Sequence, residues 1–228
     1  MPRRRPPPPD PKDDGDLRYV PLEDDSAPPR PHEVTDDSAG SQPLPDSVAV
    51  SGPIKAGRGR AAAPDKWWVS AWMALIDGES MEGAVGRRLA RKGAALSVEI
   101  ASGHVQARIA ATKTQIVRAA FSTETFDQEA WAAVLTPLAG SLDVVAAFLT
   151  GDLPRRAENI LNALGLSFIP PTPRYECSCA EGWAAPCAHA AALHYVVGDL
   201  IGSDPLLLFQ LRGLPRTQIV PLLLSIYP

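Results

Sequence analysis

What the chain has little of sets the first bounds. It holds three cysteines in 228 residues, an odd number that argues against a framework of disulfides. No apolar run approaches the roughly 20 residues that a membrane-spanning helix needs. Met1 is followed by Arg3-Arg4-Arg5 and then by prolines, with no apolar stretch behind them, so no signal peptide is visible and a cytoplasmic protein is expected. Positive charge is not in excess either: 22 Lys and Arg face 26 Asp and Glu, for a formal charge of -4. That balance is not the signature of a strongly basic nucleic-acid module. Paired carboxylates at an informative spacing, a phosphate-binding glycine loop and a nucleophile motif are all missing, and no catalytic role is expected.

What the chain has is unevenly spread. Fourteen of the 24 prolines fall in residues 1–64, together with acidic pairs such as Asp13-Asp14 and Asp24-Asp25 and a single aromatic residue, Tyr19. Such a segment buries too little apolar surface to offset its ordering entropy. A disordered, proline-rich tail is therefore expected over 1–64, with the globular part beginning at Asp65, just before Trp67-Trp68.

From there the periodicity reads as an α+β protein: a small antiparallel sheet, several helices and a C-terminal metal-binding knuckle followed by a helix. Trp68, Trp72 and Ile76 recur every four residues, as on one face of a helix. Ser80 is placed to cap a second helix that Gly93 ends. The period then becomes two, with Leu96, Val98 and Ile100, a Ser102-Gly103 turn, and Val105, Ala107 and Ile109; this is a hairpin, and Thr114 to Phe121 adds a third strand of a meander. Helices are expected from Asp127 to near Pro137, over 142–149, and from Pro154 to Leu164. Pro170, Pro171 and Pro173 lead into the cysteines. Further helices follow over 188–201, 205–211 and 215–226. The units expected are thus a tail over 1–64, an α+β domain over 65–170, a finger over 171–213 and a C-terminal helix over 214–228.

All three cysteines lie within eleven residues, in the pattern Cys177-Ser178-Cys179, seven residues, Cys187-Ala188-His189. Three thiolates and one imidazole complete a tetrahedral set for zinc. Residues two apart in an extended strand share a side, so Cys177 and Cys179 can clamp one ion. Gly182 lets the loop from Ala180 to Pro186 turn back, and Cys187 and His189 open the alanine-rich helix. The positive end of that helix favours the net negative zinc–thiolate centre and keeps Cys187 ionised. Four protein ligands describe one closed, structural Zn2+ site, because a catalytic zinc keeps a position for water. The His-x-Glu and Cys-x-x-Cys parts of a zinc deaminase and the His-Glu-x-x-His of a metalloprotease are absent. The competing readings are cysteines buried as small hydrophobes and a disulfide. His194 follows His189 by five residues, about 500° of helix rotation, and points away from the ion. Trp183 is expected as a lid packed on the knuckle.

The string Cys177-x-Cys179-x7-Cys187-x-His189 resembles the SWIM-type zinc finger. The segment Asp204-Pro205-Leu206-Leu207-Leu208-Phe209-Gln210-Leu211-Arg212-Gly213 is similar to the Asp-Pro-x-x-Leu-x-x-Leu-Arg-Gly segment that follows the finger in bacterial members, and the opening Trp67-Trp68 with Trp72 resembles theirs. The resemblance spans Asp65 to the C-terminus. It implies a zinc-dependent module for binding protein or DNA, often associated with Swi/Snf-type helicase-like ATPases.

Two functional expectations follow, with a third of less weight. One is a protein-interaction module accessory to a DNA-acting ATPase; the apolar stretches Leu206–Phe209 and Ile219–Leu224 either supply its surface or complete the domain's own core, and the core reading is preferred. The other is direct DNA or RNA binding through Arg87, Arg88, Arg91 and Lys92 on one helix, against which stands an ordinary solvated face. The stretch Lys55-Ala56-Gly57-Arg58-Gly59-Arg60 could place arginines in a minor groove, or serve as a linker. A redox sensor built on the thiolates is the minor alternative.

Overall fold

The computed structural model describes residues 35–36, 44–57, 66–76, 78–171, 173–179 and 186–226. Most of the expected tail, Arg58 and Arg60, and Trp183 lie outside these residues, so the readings placed on them find no structural counterpart.

The fold is α+β. Among the described residues six strands form one sheet: β1 (Thr35–Asp36), β2 (Val48–Ile54), β3 (Ala95–Ala101), β4 (His104–Ala110), β5 (Gln115–Ser122) and β6 (Arg174–Cys177). Strands β2, β3, β4, β5 and β6 pair antiparallel in that order, and the two-residue β1 lies parallel to the start of β5. The hairpin read from the sequence is β3–β4, with Ala101 opposite His104 across the turn, and β5 completes the meander. Val98, Ile100, Val105, Ala107, Ile109, Val117, Ala119 and Phe121 are buried on one face. The alternate positions, such as Glu99, Gln106 and Arg118, stay polar, as expected of an antiparallel sheet packed on one side only.

Among the described residues eight helices accompany the sheet: α1 (Trp67–Met73), α2 (Met81–Lys92), α3 (Gln128–Ala139), α4 (Leu142–Leu149), α5 (Arg155–Ala163), α6 (Ala188–Ser203), α7 (Leu206–Leu211) and α8 (Arg216–Ile226). Helix α6 is the centre of the molecule. It packs on α1, α2 and the buried face of β3, β4 and β5, and every residue from Ala190 to Gly198 is buried. A helix apolar on all sides is what such a position requires. Small residues permit the close approaches: a Cβ on Gly86 of α2 would lie 2.5 Å from Ala191 Cβ and 2.8 Å from the Ala188 carbonyl oxygen, both on α6. The caps match the sequence reading, with Ser80 Oγ accepting from Gly83 N at 3.0 Å and Gly93 at φ 78° ending α2.

Three features depart from what the sequence suggested. The sheet crosses both boundaries drawn around the α+β domain. Residues 48–54, assigned to the disordered tail, are the edge strand β2. Val48, Val50 and Ile54 supply its inward side, a period-two signal masked by neighbouring prolines. Pro53 is tolerated because an edge strand leaves N–H groups unpaired, and the register shifts between Ser51 and Ile54, where Gly52 takes φ 111°. At the other boundary β6, within the expected finger, pairs with β5 of the meander. The third departure is α3, which continues past Pro137 to Ala139. Near a helix end a proline removes one hydrogen bond without breaking the turns before it.

The first apolar C-terminal stretch completes the core, with Leu206 to Leu211 buried throughout; of the second, Ile219 and Leu223 are buried while Leu224 is exposed. No single helix among the described residues is long and apolar enough to cross a membrane. The apolar pair α3 and α4 is bent by 99° and buries Trp131, Val134, Leu138, Val144 and Phe148.

Candidate metal centre

Two consecutive elements, strand β6 and the start of helix α6, bring the four predicted ligands together. Strand β6 is held to β5 with Cys177 opposite Ala119, and the pairing extends one residue further: Ser178 N donates to the Arg118 carbonyl at 2.9 Å, and Arg118 N donates to Ser178 Oγ at 2.9 Å. The Cys177-Ser178-Cys179 clamp is thereby fixed to the sheet. Cys187 stands at the N-cap of α6, where its carbonyl accepts from Ala191 N at 2.9 Å. His189 lies in the first turn of the same helix, which is anchored by burial on all sides.

The three sulfurs and one imidazole nitrogen lie within 4.8 Å of one another. Cys179 Sγ and Cys187 Sγ are 3.6 Å apart. Ligands about 2.3 Å from a tetrahedral zinc would place two sulfurs about 3.8 Å apart, so the cluster has nearly contracted to a coordination sphere. Cys187 is buried, and Cys177, Cys179 and His189 are half-buried. His189 Nδ1 is buried with no hydrogen-bond partner, a state that costs free energy unless a ligand or an ion engages that nitrogen. The residues therefore fit a single metal ion.

The electrostatics agree with this geometry. A hydrogen bond from the Cys177 thiol holds Cys187 far below the ordinary thiol range, at about 3, and donors from His189 and the Ala190 amide act in the same direction against desolvation. The same bond to Cys187, together with burial, holds Cys177 well above that range. The helix N-terminus favours the ionised form of Cys187, and a cation placed among the sulfurs would replace the proton the two thiols share.

Sequence reasoning missed how the centre is tied to the core. His194 is fully buried. Its Nδ1 lies 2.7 Å from Tyr175 Oη and its Nε2 lies 3.0 Å from the Trp72 carbonyl. A carbonyl only accepts, so Nε2 carries the proton and Nδ1 accepts from the tyrosine hydroxyl. Desolvation lowers the His194 pKa to about 4, only partly opposed by the bond to Trp72. Tyr175 sits two residues before Cys177, so this histidine links the strand that carries Cys177 to α1. Nothing in the local sequence signals a contact between positions 122 residues apart.

The four cations on α2 do not act alike. Arg87 lies over the Tyr195 ring, with Cζ 5.3 Å from its centroid, and its Nη2 donates to the Gly78 carbonyl at 3.3 Å and to Tyr195 Oη at 3.4 Å. Arg88, Arg91 and Lys92 are exposed. The Leu-Arg-Gly end of the segment after α6 is structural: Arg212 is buried, with Cζ 4.0 Å from the Phe126 centroid and Nη1 donating to the Glu124 carbonyl at 2.5 Å. Asp204 accepts from Leu206 N at 3.1 Å and pairs with Arg216 on α8.

Comparison with known proteins gives one informative likeness. The chain is 31% identical over 185 residues to the uncharacterized protein Rv2102 of Mycobacterium tuberculosis, an alignment covering 79% of this chain and 65% of that protein. The chain thus spans somewhat less than two thirds of that relative's length. No family model matches, and no solved structure is significantly similar.

Proposed function

We propose that this protein is a SWIM-type, zinc-dependent interaction module in which one structural Zn2+ fixes β6 to the start of α6. The observation that carries this reading is the Cys177, Cys179, Cys187 and His189 cluster, with its ligand atoms within 4.8 Å and no outside partner for His189 Nδ1. Zinc is the ion of choice for three thiolates and an imidazole in a tetrahedral site. Four protein ligands leave no position for substrate, so the metal's role is to hold structure. The ligand spacing and the Asp204–Gly213 segment support membership of the SWIM-type group, and with it a protein partner of the Swi/Snf-type helicase-like ATPase class.

Affinity capture from the native cell, with intact protein and with Cys179→Ser as control, tests the partner. An ATPase recovered only with the intact protein supports the reading; intact protein recovered alone under gentle conditions overturns it. Direct nucleic-acid binding is the second reading, and exposed Arg88, Arg91 and Lys92 favour it. It requires affinity that falls steeply with salt and on neutralising those three residues. Arg87, engaged with Tyr195, is no longer needed for it.

A further inference from the structure

A cleft of about 760 Å³ lies between the start of α3 and the segment after α5, and no residue of the metal cluster contributes to it. Its size falls in the range of about 300–1,000 Å³ usual for ligand sites. Ala130, Leu166 and Ile169 are half-buried in its lining, Pro171 is exposed, and Phe126 and Pro170 are buried.

The exposed charge on this cleft is of one sign. Glu124 and Asp127 are both exposed in its lining, and neither forms an ion pair among the described residues. Asp127 caps α3 through Oδ1, which accepts from Ala130 N at 2.8 Å. Arg212, the one cation in the lining, is only 6% exposed and donates from Nη1 to the Glu124 carbonyl. Its charge acts against those of Glu124 and the buried Glu158.

The wall over 165–171 accepts hydrogen bonds and has little to donate. Gly165 N donates to the Asn162 carbonyl, Leu166 N to the Leu161 carbonyl, Phe168 N to the Glu158 carboxylate and Ile169 N to Ser167 Oγ. Pro170 and Pro171 have no N–H. Carboxylates and acceptor-rich backbone suit a group that only donates, an ammonium or a guanidinium. The apolar lining suits a hydrocarbon beside it. The cleft is open along its length rather than enclosed, which favours an extended chain over a small molecule that needs burial on most sides. We propose that this cleft docks a partner peptide segment in which a lysine or arginine stands between apolar residues. The basic head group is held by Glu124 and Asp127, and the apolar side chains lie against Ala130, Leu166 and Ile169. The surface is separate from the metal centre, and the proposal does not depend on the partner being an ATPase.

NMR titration of the full, metal-loaded chain with the capped tripeptide Leu-Arg-Leu, and with Leu-Glu-Leu as the control, tests this. Saturable binding of the basic peptide at about 1 mM or tighter is expected, with shifted amide resonances over 124–130 and 162–171. The acidic peptide should bind at least about tenfold more weakly. Glu124→Gln combined with Asp127→Asn removes both charges, while asparagine still caps α3. The double variant should keep its melting temperature and bind the basic peptide about three- to tenfold more weakly. Absence of saturable binding overturns the proposal, as does equal binding of the acidic peptide. Full affinity in the double variant, or shifts confined to other residues, places the peptide elsewhere and overturns it equally.

Discussion

Trp72 and His194 bond to each other twice across the interior. Trp72 Nε1 donates to the His194 carbonyl at 3.1 Å, His194 Nε2 donates to the Trp72 carbonyl at 3.0 Å, and the two rings stack with centroids 4.7 Å apart. Helix α1 is locked to α6 by this pair, and Tyr175 extends the lock to the strand that carries Cys177. The metal centre is therefore continuous with the core through hydrogen bonds as well as packing.

The lock predicts a pH dependence. Burial lowers the His194 pKa to about 4 from the ordinary 6.5. Between those values the unfolded chain binds more protons than the folded one. Stability is thus fully present above pH 6.5 and falls as the pH drops toward 4, by on the order of 3 kcal/mol in total. Urea denaturation at several pH values, compared between the unaltered protein and His194→Gln, isolates this contribution from acid release of metal. The variant should be less stable at pH 7 by about 1–3 kcal/mol, with a shallower decline between pH 6.5 and 4. Parallel declines in the two proteins would show that His194 is not the titrating group.

The approach of α2 to α6 predicts a second effect. A Cβ on Gly86 would collide with Ala191 and with the Ala188 carbonyl, both within three residues of His189. Gly86→Val should cost about 1–3 kcal/mol through overpacking. It should also loosen metal retention by displacing the first turn of α6. Thermal melting and metal content of the purified variant check both; an unchanged melting temperature would mean that the helices separate freely at this point.

A third prediction concerns the start of α2. Ser80 Oγ satisfies Gly83 N, so Ser80→Ala should cost about 1 kcal/mol. The residue lies outside the ligand set, so metal content should not change. Chemical denaturation and metal analysis on one preparation suffice.

Much of this organisation was legible in the sequence because local signals coincided with the final structure. Ser80 and Gly93 delimit α2, the alternation around Ser102-Gly103 gives β3 and β4, and the four ligands fall in one short, patterned stretch. The parts that were not legible depend on distant partners. Edge strand β2 becomes a strand by pairing with β3, and its local composition, with Pro53 and Gly52, is that of a linker. His194 looks like any helix residue until Trp72 and Tyr175 are placed beside it. Arg87 reads as one more exposed cation until Tyr195 lies under it. Arg212, read within a family segment, shows its burial against Phe126 only once the loop before α3 is in place.

The central claim is that Cys177, Cys179, Cys187 and His189 hold one structural zinc ion. The most direct test is metal analysis of protein purified without added metal, followed by thermal melting before and after exhaustive chelation. The account predicts about one zinc per chain, and a fold that loses much of its stability on chelation and regains it when zinc alone is restored. Protein that carries no metal as purified, or that melts at the same temperature with and without it, would contradict the account.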